Sequence, residues 1–294
     1  MKKTPTPYTI VYQDDAILIV DKAPGLAVLA GRGRTESLLT LLEADKRVTL
    51  PAEPLPPPPP PAGQSEASSA DDSDDLPVLS PHRSLMVIHR IDAETSGILM
   101  FAKTRDAMKA LGDQFRLRLI KKEYWALVRG TPLQESGSVD LPIGVDPKDK
   151  TRMIIRGNDA KKCRTKWVAG QRFAGVTLLK VYPVTGRRHQ IRVHLKAMGY
   201  PLAVDPLYGG KADTKGKGDE EGGESGGLKL SEFKRHYKTG KFQEERPLMN
   251  RLTLHARSLT FVHPTTGVEM TIEAPLPKDF RGTLEALEKW ARKV

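Results

Sequence analysis

Cysteine is almost absent from this chain of 294 residues, in which Cys163 stands alone. One thiol rules out an internal disulfide and fits a reducing compartment. Long apolar runs are missing as well: no stretch of about 18 apolar residues occurs, which excludes a membrane-spanning helix. The opening, MKKTPTPYTIVYQDD, carries two lysines but no sustained apolar tract, which excludes a secretory signal. Together these absences make the cytoplasm the expected location. Hydrophobic residues reach only 38%, against roughly 45–50% in ordinary globular domains, and the deficit is confined to two polar stretches.

The first stretch, 51–81, contains six consecutive prolines at 56–61 and then Asp71, Asp72, Asp74 and Asp75. Polyproline forms neither ladder nor helix, and the acidic Ser/Ala tract has nothing to bury, so a solvated surface insertion is expected. The second, 211–249, is rich in Gly and Lys early on. Later it mixes Phe233, Tyr237 and Phe242 with positive charge, a combination that suits single-stranded RNA or packs the insertion down. Formal net charge is +11, but Pro51–His82 holds six acidic residues and no Lys or Arg. Without that segment 47 basic residues face 30 acidic ones, a net +17. So basic a body points to a polyanion, with nucleic acid first.

The rest of the chain alternates strand and helix patterns. Tyr8–Asp21 reads as two short strands joined at Gln13-Asp14-Asp15, followed by a tight connection at Lys22–Gly25. Ser37–Asp45 predicts a short amphipathic helix. Thr104–Leu119 predicts a longer one, with apolar positions 107, 108, 111, 115 and 119. Lys121–Gly130 alternates as a strand, and Ser136–Ile155 is hairpin and loop material. Lys161–Val168, which carries Cys163, and Val176–Val184 are further strands. Gly186 makes a turn into Gln190–Leu195, the start of a helix or strand. Arg251–Pro264 is again a strand, Thr265-Thr266-Gly267 turns it into Val268–Ala274, and Leu284, Leu287 and Trp290 mark a closing helix. The expected class is α+β: a large, mostly antiparallel sheet with a few flanking helices, one domain over 1–294 with two insertions.

The chemistry centres on HRIDAETSGILM, His89–Met100. Polar residues give way to an apolar tract suited to a buried strand, which leaves Asp92 at its mouth. A carboxylate held there can be a nucleophile, a general base or a structural turn cap. Downstream, VTGRRHQIRVHL places His189 and His194 five apart. That spacing is not the i, i+4 pair of a helical zinc site, and no Cys or Glu stands near enough to complete one, so no metal is expected.

HRIDAETSG resembles the H-R-[LI]-D-x-x-T-S-G signature of the RluA-type pseudouridine synthases. Further matches follow in the family's order. Lys22–Gly25 is similar to its K-P-x-G segment, with Ala23 at the usual proline. Lys122–Gly130 is similar to its K-x-Y-x-A-L-V-x-G strand, and Thr185–Leu195 to its T-G-R-x-H-Q-I-R-x-H-L run. GYPLAVDPLYG resembles G-x-P-[IL]-x-G-D-x-x-Y-G, with Val204 where glycine is usual, and LHARSLTFVHP resembles the L-H-A strand. The resemblance implies the pseudouridine synthase fold with a central RNA-binding cleft. It implies isomerisation of uridine within RNA: the base leaves its stack, the N1–sugar bond breaks, the ring turns, and C5 joins the sugar. By the same resemblance Asp92 is the nucleophile or base, Tyr124 stacks on the uracil, and Arg192 pairs with Asp92 and keeps it ionised. Arg90 fills the space the base vacates, while Arg187, Arg188 and His189 face RNA. Nothing is oxidised or transferred, so no cofactor is expected.

With so few residues ahead of Tyr8, the S4-like RNA-binding domain that some relatives carry is not expected. The partner expected is ribosomal RNA of the large subunit or transfer RNA, met by a monomer without a membrane. Two other classes stay open on the residues alone: an RNA-binding assembly factor without catalysis, and a metal-dependent nuclease, which would need a carboxylate cluster where only Glu94 stands near Asp92.

Overall fold

The structure is a computed structural model and describes residues 7–31, 36–50, 85–209, 227–234, 237 and 244–291. The proline-rich insertion expected at 51–81 lies outside the described residues, as does most of that at 211–249, Phe242 included. In chain order the strands are β1 (Tyr8–Gln13), β2 (Ile17–Lys22), β3 (Met86–Val87), β4 (Ser96–Ala102), β5 (Lys121–Arg129), β6 (Ser136–Val139), β7 (Ile143–Val145), β8 (Met153–Ile155), β9 (Asn158–Lys161), β10 (Thr165–Phe173), β11 (Val176–Pro183), β12 (Leu254–Val262) and β13 (Glu269–Glu273). The helices are α1 (Leu38–Ala44), α2 (Arg105–Arg116), α3 (Gln190–Ala197) and α4 (Lys278–Trp290). Every strand pair whose register is defined runs antiparallel, so the expected mixed α+β architecture is the one observed.

The chain forms two compact units, Met1–Lys122 with Ala256–Ala274, and Glu123–His255 with Pro275–Val294. In the first unit the ladder runs β1-β2-β4-β12, with β13 on β12 and β3 on β4. All seven residues of β4 are buried, as its unbroken apolar sequence dictates for a strand covered on both faces. Ile98, Met100 and Ala102 share a core with Ile17, Ile19, Leu111, Phe115 and Phe261. Gly97 is needed where β12 passes: its φ is +114°, and a Cβ there would lie 2.1 Å from the Ala256 carbonyl oxygen.

Caps set the helix starts. Ser37 caps α1 by accepting from the Thr40 amide, and Thr104 caps α2 by accepting from Ala107. Helix α2 stops at Arg116, three residues short of the sequence expectation, because Arg118 turns left-handed with φ 59°. Leu119 is therefore not on its buried face but 58% exposed.

In the second unit the ladder is β5-β11-β10-β6, and β7, β8 and β9 form a separate small sheet in the order β8-β7-β9. Strand β10 starts at Thr165 and runs to Phe173, with a bulge between Ala169 and Arg172. Cys163 therefore precedes the strand it was expected to occupy. It is buried, its thiol donating to the Lys161 carbonyl at 3.2 Å. Phe233, from the second insertion, packs against the core of Leu127, Phe173, Phe280 and Leu287. For that residue, of the two expected uses of the aromatic stretch, packing down is the one observed.

Candidate active site

Asp92 occupies the first position of a turn closed by the Thr95 amide donating to the Asp92 carbonyl at 3.0 Å. Three contacts hold this turn from behind. Lys22, at the end of β2 and wholly buried, donates its ammonium to the carbonyls of Ala93 at 2.7 Å and Ala23 at 2.8 Å. The Gly25 amide donates to the same Ala93 carbonyl at 2.9 Å, from a backbone with φ +92° that glycine adopts readily. On the other side His89 Nε2 accepts the Met100 amide of β4 at 3.1 Å, and its ring stacks on Phe115 with centroids 5.0 Å apart. Burial, with a smaller contribution from the Lys122 ammonium, pushes the His89 pKa down to about 3, so the ring stays neutral. Asp92 is half-buried, and Arg90 and Glu94 are exposed. The carboxylate thus sits on a backbone fixed at both ends.

The second unit explains the TGRRHQIRVHL run residue by residue. Gln190, the first residue of α3, accepts at Oε1 from the Thr185 hydroxyl (2.7 Å) and the Arg187 amide (3.0 Å). Its Nε2 donates to Thr165 Oγ1 (2.9 Å) and the Arg164 carbonyl (3.0 Å). His194 lies within 2.8 Å of Thr165 Oγ1 through Nδ1 and within 2.9 Å of the Leu141 carbonyl through Nε2. Such a buried network is stabilising only when each member is satisfied, and desolvation holds the His194 pKa below its ordinary value. The network fixes the sharp entry to α3, where His189 takes a left-handed φ of 56°.

Arg192 points from α3 into a buried ion pair. Its Nε and Nη2 donate to the two carboxylate oxygens of Asp205 at 2.9 and 2.7 Å, and neither side chain is more than 5% exposed. Asp205 Oδ1 also accepts the amides of Leu207 (2.9 Å) and Tyr208 (3.1 Å). The guanidinium lies 4.9 Å from the centre of the Tyr208 ring. The Tyr208 hydroxyl in turn receives the Met153 amide at 2.8 Å and meets His189 Nδ1 at 2.7 Å. His189 and Arg192 are thus brought together around Tyr208. Arg188 is exposed and donates to the Lys150 carbonyl at 2.8 Å. Arg187, expected to face RNA phosphate, is 8% exposed. Tyr124 lies on β5 opposite Val181, half-buried at the margin of a core built from Ala126, Trp167, Leu179, Ile191 and Leu195.

Two of these residues were not singled out by the sequence reading. In the sequence Asp205 is a lone carboxylate between Val204 and Pro206 in an apolar run, which is itself a signal of a buried partner. His89 opens the signature run, and its distance from the apolar tract hid its bond to β4. Among the described residues no group of three or more His, Cys, Asp or Glu side chains could hold a metal ion, and no helix is long and apolar enough to cross a membrane.

The fold has counterparts among solved structures. Human RNA Pseudouridylate Synthase Domain Containing 1 superposes with a TM-score of 0.62 at 21% identity, covering 100% of this chain and 93% of that one. This defines the class of fold, a pseudouridine synthase domain. A family model described as RNA pseudouridylate synthase matches residues 17–197. The ribosomal large subunit pseudouridine synthase C of Salmonella typhi is 33% identical over 96% of this chain and 70% of its own. The ribosomal large subunit pseudouridine synthase D of Nitrosomonas europaea is 33% identical over 96% of this chain and 65% of its own. The chain therefore belongs to the RNA pseudouridylate synthase family and is an isomerase of uridine in RNA.

Proposed function

We propose that the protein converts specific uridines of large-subunit ribosomal RNA to pseudouridine, with Asp92 as the nucleophile on a uridine swung out of its stack. The observation that carries the reading is the Asp92 turn, a half-buried carboxylate on a backbone anchored by Lys22, Gly25 and Thr95. The names of the two bacterial relatives favour the ribosomal substrate. Asp92 attacks and forms a covalent bond, the N1–C1′ bond breaks, the detached ring turns, C5 bonds to C1′, the bond to Asp92 breaks to return its carboxylate, and the C5 proton leaves as N1 gains one. Tyr124 offers its ring to the turned-out uracil, since a base outside its stack needs an aromatic face. Arg192, fixed by Asp205, orients Asp92. Arg90 fills the vacated stack, and Arg187, Arg188 and His189 hold the RNA strand. The family match runs through residues of both units, and the protein acts as a monomer in the cytoplasm.

The test uses RNA from a strain lacking the gene, with pseudouridines mapped by carbodiimide adducts and reverse-transcription stops. A large-subunit site that vanishes, returns with the wild-type gene and stays absent with Asp92→Asn is the expected result. Full restoration by Asp92→Asn would overturn the assignment of the nucleophile. A site lost from transfer RNA alone would overturn the ribosomal substrate.

A further inference from the structure

We propose that His89 is a positioning residue for the reaction: its ring, pinned between the Met100 amide and Phe115, fixes the approach of the chain to Asp92. The inference rests on the reading of Asp92 as nucleophile. Strand β3 pairs with β4 only at Met86↔Ala102 and Val87↔Phe101, after which the chain leaves the ladder to make the Asp92 turn. The next β4 amide on the buried strand belongs to Met100, and where the ladder ends a side chain supplies its acceptor, His89 Nε2 at 3.1 Å. This contact lies three residues before the nucleophile. The stack on Phe115 sets the plane of the ring, so that the Nε2 lone pair faces the amide. A buried amide must keep an acceptor, and loss of this one would let the 88–92 segment shift while the ties of Lys22 and Gly25 to Ala93 remain.

Acceptance at Nε2 requires the tautomer with its proton on Nδ1. The groups packed against the ring are Phe115 of α2 and Met100 of β4, both uncharged, and Lys122 of β5 supplies a nearby positive charge. Burial first, and then the Lys122 charge, disfavour an imidazolium, so His89 contributes no inflection to the rate profile between about pH 5 and 8, where an ordinary histidine titrates.

Three variants separate the possibilities. His89→Phe keeps a ring on Phe115 and removes the acceptor, while His89→Gln removes the ring and places an amide oxygen near the position of Nε2. Asp92→Asn runs beside them. Turnover is read as tritium released from C5 of uridine in transcribed large-subunit ribosomal RNA, with folding followed by thermal melting. The expected result for His89→Phe is a kcat lower by on the order of 10²-fold, the scale of a displacement of about 1 Å at a reacting group. KM stays near wild type, and His89→Gln recovers most of the rate. Wild-type kcat in His89→Phe, a change confined to KM, or no recovery by His89→Gln would overturn the proposal. Should His89→Phe fail to fold, His89→Asn takes its place: its shorter amide cannot reach Met100, and an undiminished kcat would overturn the proposal equally. Activity retained by Asp92→Asn would instead strike the reading of the nucleophile, whatever the His89 variants do.

Discussion

Replacing Asp205 by Asn tests the buried ion pair on which Arg192 depends. Asn is nearly isosteric and can still accept from the Leu207 and Tyr208 amides, so the perturbation is chiefly one of charge. The two Arg192 bonds at 2.9 and 2.7 Å lie where neither side chain is more than 5% exposed, and solvent screening cannot soften the loss. Removing one partner of such a buried pair costs about 3–5 kcal/mol. At roughly 2–4 °C per kcal/mol for chains of 150–250 residues, the midpoint should fall by about 6–20 °C in a melt followed by circular dichroism. The pair as a whole contributes far less, since desolvating both charges offsets most of their attraction. Arg192→Met combined with Asp205→Leu should therefore be more stable than Asp205→Asn alone, and should still form no pseudouridine. A midpoint for Asp205→Asn within about 1 kcal/mol of wild type would refute the reasoning. So would a double variant whose losses merely add.

Two further outcomes follow from the first unit. The His89 pKa is about 3 in the folded protein against an ordinary 6.5, so between these values the unfolded chain binds the additional proton. Stability is therefore whole above pH 6.5 and falls as pH drops toward 3, by up to about 1.4 kcal/mol per unit from this group. Denaturant titrations of wild type and His89→Gln should diverge in that window, with the variant losing less on acidification, and parallel curves would contradict the assignment. Gly97→Ala places a Cβ 2.1 Å from the Ala256 carbonyl oxygen at a φ of +114°, inside a fully buried strand. A loss above about 4 kcal/mol is expected, the range reserved for severe backbone and packing damage. It is read as soluble yield and melting midpoint, and a variant melting with wild type would refute it.

Periodicity placed the secondary structure well wherever burial alone decides it. The alternation in Tyr8–Asp21, the apolar tract after Asp92 and the spacing of Leu284 and Leu287 each gave the element observed. It failed where a single backbone angle or a distant partner decides. Nothing in the apolar spacing of Thr104–Leu119 announces that Arg118 turns left-handed and ends α2 early. The basic setting of Cys163 conceals a thiol tucked onto the Lys161 carbonyl before β10 begins. Asp205 lies 13 residues from Arg192, and only the loop that carries it back to α3 makes it a partner.

The same contrast bears on what a signature run encodes. In HRIDAETSG, His89 serves the Met100 amide, the Thr95 amide closes the turn on the Asp92 carbonyl, and Gly97 clears the Ala256 carbonyl. In TGRRHQIRVHL, Thr185, Gln190 and His194 are consumed by one buried network, His189 by Tyr208 and Arg192 by Asp205. Most of each motif therefore holds backbone and cations in place, and a minority can touch uridine. Substitution at Gln190 or His194 should then lower activity together with stability, through orphaned buried groups at about 1–3 kcal/mol each. Substitution at Asp92 should lower activity alone. That separation, rather than the size of any single loss of rate, distinguishes the group that reacts from those that hold it.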